Sequence, residues 1–218
     1  KLVKPTNNGK KYVFHIRKNA KWSNGDPVKA EDFEFAWKRA MNPANNPVYT
    51  YIFSGIKNAD AIMANKKSYK TLGIRATGDR TLEITLDHPM TYFNKLVAMP
   101  VFMPQDKSFV TKVGAKKYGT NAKNTVSNGA FKITKWTGTN DSYQLVRNPY
   151  YWDKKAIKLD RINYKTVKDP NTAHNLFQSD KLDDATISGV TAKSLQKNKD
   201  LKRVPKAWTY YLQVNQKS

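Results

Sequence analysis

Hydrophobic positions change period early in the chain, from strand-like alternation to helical spacing. Residues 11–17 alternate between apolar and polar side chains, which predicts a half-buried strand. The stretch SNGDP at 23–27 then breaks the chain, because Gly accepts positive φ and Pro fixes its own φ. From Ala30 to Met41 the apolar residues recur at helical spacing, which predicts an amphipathic helix that ends before Pro43.

The same two patterns recur along the rest of the chain without a strict strand-helix-strand repeat. Further strands are predicted at 72–74, 82–86, 130–136, 143–147, 161–167, 185–188 and 210–214. Further helices are predicted at 91–98, 107–118, 171–178 and 192–197, with an extended segment at 100–104. The fold class is therefore α/β in the mixed α+β sense rather than a doubly wound sheet.

The length and composition suit a folded protein with one large or two modest domains. The 218 residues are 39% hydrophobic and 12% aromatic, enough to fill a core. No stretch approaches 18 consecutive apolar residues, so no membrane-spanning helix is predicted. An apolar run gives way to lysine-rich sequence near Pro104–Asp106, where we place a domain boundary between 1–105 and 106–218. We also expect the chain to be a fragment of a longer protein.

The charge balance predicts attraction to polyanions. Basic residues number 39 and acidic residues 17, which gives a net charge of +22. Only seven of the basic residues are arginines, and the lysines are spread along the chain. Nucleic-acid readers favour clustered Arg interleaved with aromatic residues. Dispersed lysine instead indicates a solvated cationic coat, suited to a surface such as an anionic cell wall, and no specific nucleic-acid partner.

The chain shows no positive evidence for an enzyme, a metal site or a cofactor. It contains no cysteine, and His15, His88 and His174 each lack a second ligand at metal spacing. Neither a Gly-x-Ser-x-Gly elbow nor a glycine-rich phosphate or dinucleotide loop is present. The acidic pairs at 31–32 and 183–184 are explained as helix first-turn charge and as a solvated loop.

Aromatic residues are the remaining conspicuous feature. They cluster at 49–51, 150–152 and 208–211. Tyr and Trp combine a broad apolar face with one hydrogen-bonding group, which suits the walls of ligand clefts. We expect the group at 150–152 to pack in the core, whereas core packing and ligand contact remain equally open for the other two groups.

One long motif resembles a known family. Residues 14–33, FHIRKNAKWSNGDPVKAEDF, with Trp37 and Arg39 beyond them, closely resemble the signature of the bacterial extracellular solute-binding proteins of family 5. These are the peptide- and nickel-binding components of ABC importers, and the resemblance is closest to the oligopeptide-binding branch. Further segments follow in the family's order, namely SNGAF at 127–131, RNPYYW at 147–152, LDRI at 159–162 and YYLQVN at 210–215.

The resemblance implies a particular architecture. The expected fold is that of type II periplasmic binding proteins, incomplete, with two of three lobes represented. Residues 1–105 are similar to most of the small second lobe, and 106–218 to the middle segment of the first lobe, ending at the crossover to a third lobe that is absent. The acidic residue that usually holds the amino terminus of a peptide is then expected outside this chain.

The resemblance also implies a non-enzymatic function. Proteins of this type capture extracellular oligopeptides and pass them to the transmembrane subunits of an ABC permease. An extracytoplasmic location follows, with membrane attachment only through a lipid anchor that this chain lacks. Trp22, Phe33 and Trp37 are then scaffold. The residues expected to bind ligand are Tyr49, Tyr51, Trp208, Tyr210, Tyr211 and Gln213.

Two departures from the family pattern and two alternative functions remain at this stage. Lys29 stands where the family often has a helix-capping Thr or Ser, and Asp180 stands where Gly is common in a turn. A cationic cell-surface adhesion or matrix-binding protein could use the same scaffold. A nickel- or haem-type solute-binding protein is a closer relative, but no His or acidic cluster supports it.

Overall fold

The computed structural model describes residues 3–139 and 141–204, and the chain divides into two compact units, Lys1–Lys165 and Thr166–Ser218. The strands of the first unit are β1 (Lys11–His15), β2 (Ile74–Gly78), β3 (Thr81–Thr85), β4 (Phe131–Thr134), β5 (Ser142–Arg147) and β6 (Arg161–Lys165). Its helices are α1 (Ala30–Ala40), α2 (Ala59–Met63), α3 (Phe93–Leu96) and α4 (Lys107–Val113). The second unit contributes α5 (Pro170–Gln178) and α6 (Gly189–Ser194). The predicted mixture of helices and strands is confirmed.

Two antiparallel three-stranded sheets organise the first unit. One sheet has the order β1-β3-β2, and its register places Tyr12 opposite Ile84 and Phe14 opposite Leu82. The other sheet has the order β4-β5-β6. Two of the strand pairs, β2–β3 and β4–β5, are hairpins whose strands follow each other in the chain. The turn composition at 77–80 predicts the first of these hairpins.

Helix α1 covers the first sheet with an aromatic core. Trp37 is buried, and its ring meets Phe53 and Phe102 edge-on at centroid distances of 5.9 and 4.8 Å. The Trp37 Nε1 donates a hydrogen bond to the Phe102 carbonyl at 2.9 Å, so its polar atom is satisfied in the core. Tyr12 is buried in the same cluster. The scaffold role predicted for Trp22 and Trp37 agrees with their burial.

A buried carboxylate holds the start of α1. Asp32 is 4% exposed, and its Oδ2 accepts hydrogen bonds from Trp22 Nε1 at 3.0 Å and from the Lys29 backbone N–H at 2.9 Å. Its Oδ1 accepts from the Lys107 N–H, the first residue of α4, at 3.0 Å. Burial raises the pKa of Asp32 above its ordinary value, and the three hydrogen bonds oppose that shift. Asp32 thus lies in the first turn of α1, as predicted. It is buried, and its hydrogen bonds connect Trp22, the start of α1 and the start of α4.

Lys29 at the N-cap position provides no side-chain cap, as its chemistry implies. A lysine ammonium has no acceptor, and the Lys29 side chain makes no capping hydrogen bond. Asp32 accepts from the Lys29 N–H instead, which is one half of a capping box. The departure from the family pattern at position 29 is therefore compensated by the third residue of the helix.

The segments that carry the family resemblance contact one another. The Ser23 N–H donates to the Ser127 carbonyl at 2.7 Å, and the Ser127 N–H donates back to Ser23 Oγ at 3.2 Å. Gly25 has φ of +97°, and a Cβ there would lie 3.4 Å from the Tyr150 ring. Gly25 thus supplies both the left-handed turn and room for the ring.

A buried asparagine links the last two of these segments. Asn148 is fully buried, and its Nδ2 donates to the Gly129 carbonyl at 2.9 Å. Its backbone N–H donates to the Ala130 carbonyl, and its Oδ1 accepts from the Tyr150 N–H. The side-chain Nδ2 and the backbone N–H of Asn148 therefore join the 147–152 segment to the 127–131 segment, while its Oδ1 fixes the turn within 147–152.

Several predictions from the sequence are wrong. Residues 100–102 form a 3-10 turn rather than an extended segment, because Phe102 folds inward to the core. Residues 185–188 form no strand, since the described part of the second unit contains helices but no strand to pair with. The rings of Tyr150 and Trp152 are not core residues but remain 42% and 40% exposed.

Further predictions concern the turn at Asp180, the last strand and the boundary near residue 105. Asp180 has φ of +55°, a left-handed conformation that Gly adopts readily and Asp more readily than most other residues. An altered turn relative to the family stays a prediction. The short helix α2 was not predicted from the sequence pattern. The strand predicted at 210–214 lies outside the described residues. The lobe boundary near 105 stays a prediction, and the chain there is tied to α1 through the bond from Gln105 N–H to the Asp32 carbonyl.

The Asp32 contacts predict a specific loss of stability. The change Asp32→Asn leaves one acceptor oxygen where two served three donors, so at least one buried donor loses its partner. We expect the free energy of unfolding to fall by about 1–3 kcal/mol, measured by urea denaturation. Glu31→Gln is the matched control, because Glu31 is 44% exposed and pairs with Lys107 Nζ at the surface; its loss should stay below about 1 kcal/mol. Equal losses in the two variants would contradict the connecting role of Asp32.

Candidate functional site

The loop after α1 turns the chain by side-chain capping. Asn42 Oδ1 accepts a hydrogen bond from the Ala44 N–H at 3.1 Å and starts a 3-10 turn at Pro43–Asn45. Asn46 then adopts a left-handed conformation with φ of +47°, which asparagine tolerates better than most residues. Asn42 and Asn46 therefore shape the loop that leads into a second 3-10 turn, Thr50–Phe53.

One buried ring anchors this second turn. Phe53 has no exposed surface, and its ring lies 4.7 Å from that of Phe102 and 5.9 Å from that of Trp37. The turn is short, with the Tyr51 carbonyl accepting from the Ser54 N–H at 3.2 Å. Phe53 and the partly buried Ile52 hold this turn against the core, while Tyr49 and Tyr51 remain at the surface.

Tyr49 and Tyr51 form an exposed aromatic pair. Their side chains are 57% and 64% exposed, and their ring centroids lie 6.3 Å apart with planes inclined by 47°. Val48 beside them is 77% exposed. We name these three residues the tyrosine patch. It offers apolar faces with phenolic hydroxyls, which can contact varied side chains without demanding one sequence.

The structure places only part of the predicted site. Tyr49 and Tyr51 lie together at the surface, so the core-packing alternative is wrong for them. Trp208, Tyr210, Tyr211 and Gln213 lie outside the described residues and stay predictions. Contact of any of the six residues with a ligand also stays a prediction.

Sequence reasoning missed a groove along α1. Its volume is about 610 Å³, and Glu34, Lys38, Arg39 and Lys107 are among the residues that line it. Arg39 Nη1 donates to Gln105 Oε1 at 3.0 Å, and Nη2 donates to the Ala115 carbonyl at 3.2 Å. Lys38 and Glu34 pair with each other at 2.6 Å. These charges therefore serve contacts within the protein.

Neither a metal-binding cluster nor a membrane span is found in the part of the chain that the structure describes. Residues 3–139 and 141–204 contain no group of three His, Cys, Asp or Glu placed to hold a metal ion. Within the same ranges, no helix is both long and apolar enough to cross a bilayer.

Comparison with known families supplies the decisive observation. The family described as bacterial extracellular solute-binding proteins, family 5 Middle, matches residues 2–218. The chain belongs to this family. The resemblance carried by residues 14–33 and the later segments is thereby confirmed.

Individual relatives of this family 5 chain bind peptides according to their names. The dipeptide-binding protein of Lactococcus lactis is 36% identical over 99% of this chain and 40% of its own length. The oligopeptide-binding protein OppA of Bacillus subtilis is 37% identical over 98% of this chain and 40% of its own length. The chain thus spans about 40% of the length of the curated relatives it matches.

Solved structures agree with the sequence relatives. The structure of Listeria monocytogenes OppA bound to peptide matches with a TM-score of 0.86 and 42% identity, over 92% of this chain and 39% of that one. The pheromone receptor PrgZ matches with a TM-score of 0.84 and 39% identity, over 90% of this chain and 39% of that one. The predicted likeness to part of a periplasmic-binding-protein fold is confirmed.

We expect substitution of the anchor, Phe53, to lower the free energy of unfolding much more than substitution of Tyr49 or Tyr51 in the tyrosine patch. Phe53→Ala opens a cavity among buried rings, so we expect the free energy of unfolding to fall by about 3–5 kcal/mol. Tyr49→Ala and Tyr51→Ala remove exposed rings, so each should change it by less than about 0.5 kcal/mol. Urea unfolding followed by tryptophan fluorescence measures all three. A loss above 2 kcal/mol, or about half the anchor effect, in either tyrosine variant would show that the patch is structural.

Proposed function

We propose that the protein carrying this chain captures oligopeptides outside the cytoplasm and presents them to an ABC import permease, with no bond made or broken. The observation that carries the proposal is the match to peptide-bound Listeria monocytogenes OppA, at a TM-score of 0.86 over 92% of this chain. The names of the sequence relatives, a dipeptide-binding and an oligopeptide-binding protein, support the same ligand class.

The tyrosine patch is proposed as one wall of the peptide cleft. Its exposed rings can lie against peptide side chains of different sizes, with water filling the remaining space. Main-chain pairing, as in strand addition, would supply affinity independent of sequence. Trp208, Tyr210, Tyr211 and Gln213 are proposed as further cleft residues, and segments beyond this chain as the rest of the cleft.

The location of the whole protein is part of the proposal. Membership of an extracellular solute-binding family supports an extracytoplasmic site of action. A lipid anchor in a segment outside these residues would hold the protein at the membrane. The net charge of +22 supports an additional attraction to anionic cell-wall polymers.

Peptide binding by the full-length protein tests the proposal. Calorimetry with mixed tri- to hexapeptides should detect binding to the unaltered protein. Tyr49→Ala and Tyr51→Ala should each weaken it roughly 2- to 10-fold, the range expected for one aromatic contact. Tyr92→Ala is the matched control, because Tyr92 is 55% exposed elsewhere in the first unit, and it should bind as the unaltered protein does.

The outcomes separate the competing functions. Absence of peptide binding, together with salt-sensitive binding to anionic polymers, would favour the adhesion protein considered from the sequence. Binding of nickel or haem in place of peptides would favour the other branch of the family. Equal losses in Tyr92→Ala and the patch variants would remove the tyrosine patch from the cleft while leaving peptide capture in place.

A further inference from the structure

Acidic residues do not accompany the basic residues evenly along the chain. Residues 107–140 form the longest stretch without an acidic residue, and they contain seven lysines. Local charge is therefore one-sided in the segments from α4 to the β4–β5 connection, as it also is over residues 1–25, which carry seven basic and no acidic residues.

The fold brings these segments into contact. The Gly119 N–H donates to the Asn124 carbonyl at 2.9 Å, and the Ala122 N–H donates to the Trp136 carbonyl at 2.9 Å. The turn after α4, the 3-10 turn at Ala122–Asn124 and the end of β4 are thus joined. Four exposed lysines lie on these joined segments, and we name them the lysine surface: Lys116, Lys117, Lys123 and Lys135.

The lysine surface has no internal counter-charge. Among residues 3–139 and 141–204, none of its four ammonium groups forms an ion pair with a carboxylate, and the lysines that do are Lys11, Lys29, Lys38 and Lys107. Most other described lysines also form no ion pair, so the lysine surface differs from them in lying on joined segments of an acid-free stretch. Several cations on connected loops repel one another until an anion screens them. A polyanion would therefore gain from binding here more than at the paired lysines.

One of these lysines occupies an unusual backbone conformation. Lys135 has φ of +51°, and every other described non-glycine residue with positive φ is Asn or Asp. A left-handed conformation brings the Cβ of any side chain close to the following carbonyl oxygen, a cost that Asn and Asp partly offset by local hydrogen bonds and that Gly avoids. The charge at position 135 is thus present despite a local conformational disadvantage.

We propose that the lysine surface binds a flexible polymer of phosphate groups. Lysine ammonium groups act as hydrated point charges, which suit mobile phosphates better than the fixed bidentate geometry of arginine. No large apolar side chain of residues 104–139 is among the exposed ones, so a membrane surface would find no anchor to insert. The inference rests on the proposed attraction to anionic polymers and is independent of peptide capture.

The test compares two sets of substitutions in the full-length protein. The surface variant carries Lys116→Gln, Lys117→Gln, Lys123→Gln and Lys135→Gln. The matched control carries four changes at exposed lysines elsewhere in the first unit: Lys57→Gln, Lys66→Gln, Lys70→Gln and Lys95→Gln. Both variants lose the same net charge, so they separate a local site from a general coat. Circular dichroism and thermal unfolding confirm that both remain folded.

Affinity for long-chain inorganic polyphosphate is the measurement. We expect the surface variant to bind on the order of 100-fold more weakly, with the slope of log K against log salt reduced by about three. The control variant should bind within about threefold of the unaltered protein. Equal losses in both variants would overturn the proposal, as would binding of the unaltered protein to phosphatidylglycerol vesicles without binding to polyphosphate.

Two further measurements test Lys135 by itself and separate polyphosphate binding from peptide binding. Lys135→Gly should weaken polyphosphate binding without lowering the melting temperature, since Gly relaxes the left-handed backbone; unchanged affinity would remove Lys135 from the site. Peptide affinity should be unchanged in the surface variant. Failure of peptide binding in the unaltered protein would refute the proposed transport function alone, and failure of polyphosphate binding would refute the lysine surface alone.

Discussion

The carboxylate of Asp32 is the contact on which the first unit most depends. It is buried, and it accepts hydrogen bonds from the indole of Trp22 and from the backbone of both Lys29 and Lys107. Those donors belong to the turn before α1, the start of α1 and the start of α4. One side chain therefore fixes the turn before α1 and the start of α1 against the start of α4, which lies 75 positions away in sequence. Removing a partner from such a buried polar group costs more than the average hydrogen bond contributes.

The motif that identifies the family is largely framework. Trp22 and Trp37 are buried, Ser23 is bonded to Ser127, and Gly25 makes room for Tyr150. A long, specific sequence match thus reflects packing and turn requirements rather than ligand contacts. The residues proposed to meet a ligand lie outside it, on a loop that the framework positions. Family recognition and site recognition consequently draw on different residues of this chain.

Periodicity and turn chemistry predicted most elements, including β1, α1 and the β2–β3 hairpin. The failures have physical causes. Residues 185–188 have strand-like composition, but strand formation needs a partner, and local sequence does not show whether one is present. Phe102 reads as extended between two prolines, yet burial of its ring against Trp37 favours a turn. The exposure of Tyr49 and Tyr51 followed from an anchor, Phe53, that no local pattern distinguishes from its neighbours. The burial of Asp32 depends on Lys107, 75 positions away.

The single-ring attachment of the 3-10 turn at Thr50–Phe53 has a consequence for evolution. Phe53 is the one fully buried ring of this turn and Ile52 packs beside it, while the exposed rings of Tyr49 and Tyr51 contribute little to the core. Substitutions at positions 48, 49 and 51 are therefore expected to leave the first unit folded, as long as Phe53 is kept. If the tyrosine patch contacts peptide as proposed, related proteins would change their peptide preference by exchanging a few side chains on an unchanged framework. Under that proposal, selection on peptide preference and selection on stability would act on different residues of the same turn.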